Sequence, residues 1–169
     1  MAGSGWQGGV SILRWLLAAL HLLALGIGLG AVWARGRALR APLDAAGVQR
    51  VLYADTWWGV AALVWIATGI LRAVGGFEKG AAYYFHNHFF LTKMALLVLI
   101  LALEVWPMAT FIKWRIRAAR GETVDASRAQ TFARVSFLEA ALVVLMVLAA
   151  AALARGYGAG AGEATPTRS

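Results

Sequence analysis

Apolar runs of about twenty residues or more alternate with short polar gaps along the chain. The runs fall at residues 12–33, 52–71, 85–114 and 132–153. A bilayer core of about 30 Å needs about 20 residues of helix at about 1.5 Å rise each, so each run is long enough to span one. The pattern predicts an all-α integral membrane protein, with an antiparallel four-helix bundle over residues 12–156, a short N-terminal tail over 1–11 and a flexible C-terminal tail over 157–169. The third run is long enough to project beyond the bilayer or to tilt, and Pro107 is expected to kink it near its far end. The N-terminal run lacks a basic leader and reads as a retained anchor. Trp15, Trp57, Trp58, Tyr83, Tyr84, Trp106, Trp114 and Tyr157 stand at run ends, where interfacial anchors belong. Gly26 and Gly30 in the first run, and Gly59 and Gly69 in the second, suggest close helix approach or a wall for a flat macrocycle.

Composition agrees with a membrane protein: 61% of the 169 residues are hydrophobic and only 14% are charged. The formal charge of +8 does not point to nucleic acid, because the basic residues gather where apolar runs stop. Arg35, Arg37, Arg40 and Arg50 lie between the first and second runs. Lys113, Arg115, Arg117, Arg120 and Arg128 lie between the third and fourth. The positive-inside rule puts both connections in the cytoplasm of a bacterial inner membrane and both termini outside. Zero cysteines exclude disulfides, thiolate metal sites and covalently attached haem.

Ionisable groups at bilayer depth cost about 2.5–3.5 kcal/mol each on insertion scales and therefore face the bundle interior. The candidates are His21 in span one, Asp55 and Arg72 near the ends of span two, Lys93 and Glu104 in span three, and Glu139 in span four. At about 100° per residue, His86, Lys93 and Glu104 share one stripe to within about 20°, whereas His88 is about 140° from Lys93. Depth sorts them into two groups. His21 and Lys93 fall at one outer level, with His86 or His88 above them and Arg72 at the same end. Glu104 and Glu139 fall in the inner half, where Arg134 and Lys113 are the nearest basic candidates to reach them by snorkelling.

Imidazole is a common haem and metal ligand, and a desolvated lysine offers a neutral amine or a proton. His21 is then the candidate metal ligand, with Lys93, His86 and His88 as further cofactor-binding candidates and Arg72 or Arg14 for propionates. Lys93, Glu104 and Glu139 are candidate catalytic groups for proton transfer. No hydrolase or phosphate-loop motif occurs, and "GIGLG" lies inside a span instead of following a strand.

The stretches "LLAALHLLALGIGLGAVWARGRALR", "ATGILR" and "LTKMALLVLILALE" resemble an uncharacterised family of bacterial four-span membrane proteins. More distantly, they are similar to HemJ-type protoporphyrinogen oxidases and CopD-like membrane domains. HemJ-type proteins use a first-span histidine and a third-span lysine and bind haem b, so the resemblance implies those roles for His21 and Lys93. It departs from that pattern at Leu91, where a further histidine is expected. The expectation is a membrane oxidoreductase with non-covalent haem b, acting on a porphyrinogen or exchanging electrons with a quinone. The alternatives are a cofactor-free accessory subunit of a membrane complex and a copper-handling protein. The lipid bilayer is the expected surrounding partner, with a homo-oligomer or larger membrane complex as the expected assembly.

Overall fold

The computed structural model describes residues 4–74, 88–155 and 157. Among these are four helices in chain order: α1 (Ser4–Ala38), α2 (Ala45–Val74), α3 (His88–Ala119) and α4 (Ala129–Ala154). Each is long and apolar enough to cross a membrane. The chain is thus an all-α, multi-pass membrane protein. Its helices run past most of the predicted spans: residues 4–11 belong to α1 instead of a separate tail, and Arg35, Arg37 and Arg50 are helical. Arginine is a good helix former, and its long stem lets the helix continue while the charge leaves hydrocarbon. The expected start of the third span at residue 85 lies outside the described residues. Pro107 stands within α3, which continues through it to Ala119.

Helix α1 packs against α2 and α4, and α3 packs against α4, while the α2–α3 contact is the lightest of the four. Antiparallel register sets Gly28 against Ala61 and Trp58, whose atoms a Cβ on Gly28 would meet at 3.4 Å. The close approaches on α1 occur at Gly28 and at Gly36, where a Cβ would meet the Phe137 ring at 3.0 Å. Gly26, Gly30 and Gly59 have nothing within 4 Å of a built Cβ, so the packing role expected of Gly26 and Gly30 belongs to their neighbours.

Two apolar cores fill the bundle. One contains Leu39, Val51, Leu52, Phe111, Trp114 and Phe132 at the end carrying the 39–44 and 120–128 connections. The other contains Val32, Trp58, Ile100, Val143 and Met146 in the middle. Trp58 and Trp114, expected at the interface, are buried in these cores, whereas Trp15, Trp57 and Trp106 are exposed. Leu22, Leu63, Val98, Val105 and Leu148 face outward, as side chains in contact with lipid do.

The connections are set by short polar contacts. Asp44 caps α2, its Oδ1 accepting the Gly47 N–H at 2.7 Å while its carbonyl accepts the Val48 N–H at 2.9 Å. Gly121 adopts φ 70° just past α3, the left-handed conformation that closes a helix C-terminus. In the 120–128 connection, Asp125 Oδ1 accepts the Ser127 N–H at 2.9 Å. That hydrogen bond, with Arg117 and Arg128 nearby, holds the Asp125 carboxyl below its ordinary range. Its contribution to the turn is therefore full above the ordinary carboxylate range and fades as pH falls through the lower folded value. Protection of the Ser127 amide against hydrogen exchange, relative to its intrinsic rate at each pH, should fall over that acidic window in the wild type and not in Asp125→Asn.

Candidate functional site

Between the two apolar cores lies a polar layer drawn from all four helices. An arginine in hydrocarbon is tolerable only if its charge and its donors are met inside the protein. Arg35 of α1 is wholly buried, and its five N–H groups are all used. Its Nε donates to Ser136 Oγ of α4 at 3.0 Å. Its Nη1 donates to Asp55 Oδ1 of α2 at 2.9 Å and to Glu104 Oε1 of α3 at 2.8 Å. Its Nη2 donates to Glu104 Oε2 at 2.8 Å and to Glu139 Oε2 of α4 at 2.6 Å. The two bonds to Glu104 form the bidentate pairing that a planar guanidinium favours. The Phe111 ring lies 5.5 Å from the guanidinium carbon.

A second arginine completes the layer. Arg115 Nη2 donates to Asp55 Oδ2 at 2.7 Å and to the Leu52 carbonyl at 3.1 Å, while Nη1 donates to Thr56 Oγ1 at 3.0 Å. Asp55 thus bridges the two guanidinium groups. Ser136, while accepting from Arg35, donates to the Phe132 carbonyl at 2.9 Å.

Glu104 and Glu139, expected together in the inner half, are brought together by this layer. Their cation is Arg35, not Arg134 or Lys113, both of which are exposed. Helix α1 does not stop at Trp33, and its continuing turn keeps Arg35 on the inward face. Fourteen residues separate His21 from Arg35, about 40° short of whole turns, so both lie on one side of α1.

His21 forms the opposite polar layer, about 21 Å of helix rise away. Its Nδ1 lies 2.9 Å from Thr68 Oγ1. The Thr68 hydroxyl donates to the Val64 carbonyl at 2.7 Å, with the Trp65 carbonyl at 3.0 Å. A threonine hydroxyl whose proton goes to either carbonyl accepts from an imidazole Nδ1–H, the tautomer that carries its lone pair on Nε2. The ring stacks on Trp65 at 5.2 Å between centroids and 24° between planes. A Cβ on Gly69 would meet His21 Cε1 at 3.3 Å, so glycine there makes room for the imidazole.

An apolar cavity of about 60 Å³ lies between these layers, lined by residues of all four helices, including Gly28, Ala61, Trp65, Leu97 and Met146. Glu104 lines the same cavity.

The sequence profile of a family described as "Predicted membrane protein (DUF2214)" matches residues 13–158. The chain belongs to this family. No curated protein and no solved structure matches the chain.

The remaining sequence-derived candidates of this family member are Arg72, Lys93, His88 and His86. Arg72 lies in the last turns of α2, one turn beyond Thr68, and is partly exposed. Lys93 is partly exposed in the first half of α3, and His88 is exposed at its first residue. His86 lies outside the described residues. The geometry adds Arg35, Arg115, Ser136, Thr68 and Trp65 as site residues and joins Asp55 to them. Three carboxylates near one depth, at Asp55, Glu104 and Glu139, were a signal that a buried cation had to meet them. Thr68 carried no comparable signal, since a threonine in an apolar run usually bonds only its own helix.

Proposed function

We propose that this family member is a haem b-binding integral membrane protein with a redox role, in which His21 would hold the iron through Nε2. The observation that carries the reading is the Nδ1–H to Thr68 hydrogen bond, because ligating histidines are held this way by a partner on the other ring nitrogen. Two features of the fold favour a group of this kind. Glycine at 69 makes room for the imidazole, and no residue of α3 is buried from His88 to Leu99. Bound haem supplies one-electron chemistry, whose potential is set by its ligands and their surroundings.

The chain's own residues take distinct tasks. Thr68 fixes the imidazole tautomer and Trp65 fixes the ring plane. Arg72 is the candidate for a propionate, and Lys93 or His88 for the second ligand or a proton transfer. The excess of Lys and Arg in the 39–44 and 120–128 connections and the flanking turns orients these toward the cytoplasm of a bacterial inner membrane, with both termini outside. A porphyrinogen or a quinol is the fitting electron donor class.

The test is a comparison of variants purified with adequate haem supply. His21→Ala should lose most of the bound haem. Thr68→Val should keep it but raise its reduction potential, since losing the Nδ1–H acceptor makes the ligand less electron-donating. Haem content unchanged in His21→Ala would overturn the assignment, and haem-free wild type would favour a cofactor-free accessory subunit.

A further inference from the structure

We propose that the Arg35 layer is a proton-binding site, holding one exchangeable proton between Glu139 and Glu104 in the middle of the bundle. The inference stands on the layer's own geometry and is independent of the cofactor reading. Three carboxyl groups, Asp55, Glu104 and Glu139, meet only two guanidinium groups, Arg35 and Arg115. With every carboxyl ionised, the layer would carry one uncompensated negative charge in a low-dielectric interior, which is costly.

The hydrogen bonds locate the missing positive charge. Both oxygens of Asp55 and both of Glu104 accept from guanidinium groups. Glu139 is wholly buried, and only its Oε2 accepts from Arg35. Its Oε1 is buried with no hydrogen-bond partner. Glu104 Oε2 and Glu139 Oε2 converge on the same nitrogen, Arg35 Nη2. Two carboxylates side by side offer only acceptors, so a proton between them supplies the donor that Oε1 needs.

The groups around that proton are Arg35 from α1, Asp55 from α2, Glu104 and Arg115 from α3, and Ser136 from α4. Exchange should run through Glu104, whose side chain is 16% exposed and lines the apolar cavity, whereas Glu139 has no exposure. The pair can thus receive a proton at one carboxyl and store it at the other.

Infrared absorption of the purified full chain at neutral pH, in H₂O and in D₂O, tests this. The carboxyls outside the layer and in water are ionised there, so the wild type should show one protonated-carboxyl C=O band that shifts in D₂O. Glu139→Gln and Glu104→Gln should each abolish it, because either leaves Arg35 facing a single glutamate, and Arg115 bonds Asp55 and neither glutamate. Asp55→Asn should keep it, since Arg35 would still face two glutamates. Absence of the band in the wild type, its survival in either glutamine variant, or its loss in Asp55→Asn would overturn the proposal.

Discussion

Arg35→Met is expected to destabilise the bundle by about 3–5 kcal/mol, the range for breaking a buried ion pair by removing one partner. The side chain is of similar length, so the loss is chiefly electrostatic. Glu104 and Glu139 would be left facing each other in an apolar interior, and Asp55 would keep only Arg115. Bonds from Arg35 reach α2, α3 and α4 together, so its removal frees each helix from the others at that level. Arg35→Lys should lose part of this, since one ammonium has three donors where the guanidinium uses five. Adding Glu104→Gln and Glu139→Gln to Arg35→Met should recover much of the deficit by removing the unpaired charges. Thermal unfolding in one detergent ranks the four proteins; a stable Arg35→Met single variant would contradict the role given to this layer.

Gly47→Ala is expected to cost about 1–3 kcal/mol, the usual range for forced overpacking. A Cβ at Gly47 would run into the backbone carbonyl of Pro42, and a backbone atom cannot swing aside as a flexible side-chain end can. The first turn of α2 would have to move away from the 39–44 connection. That movement would strain the Asp44 cap, whose two bonds enter the same turn. Gly26→Ala and Gly30→Ala are the matched controls. Both positions are helical with open space around them, so alanine there should be neutral or stabilising by up to about 1 kcal/mol through helix propensity. Unfolding temperatures of the three variants separate a local collision from a general intolerance of alanine.

The four spans could be read from hydropathy alone, because a segment crossing hydrocarbon must be long, apolar and helical whatever it packs against. The meeting of Glu104 with Glu139 was legible for a similar reason: depth along antiparallel helices fixes level, and few levels are available. Their partner was not. Arg35 sits in a run of arginines that charge patterning assigns to the aqueous connection, and the helix carries that side chain inward while Arg37 and Arg40 point outward. The positive-inside pattern counts arginines but does not say which face each one takes. The glycines show the same boundary of inference. Gly26 and Gly30 have the spacing of a packing motif, yet Gly28 and Gly36 make the close approaches, because rotation of α1 is set by the layers at His21 and Arg35. Trp58 and Trp114 fell in the core for a related reason: their helices extend far enough to place run ends inside the bundle.

The absorption spectrum of the purified wild-type protein, recorded oxidised and then reduced, tests the proposed haem function most directly. A haem b protein should show a Soret band and reduced-minus-oxidised features of haem b, with about one haem per chain when haem is supplied during expression. A folded four-helix protein with no Soret band under those conditions would contradict it.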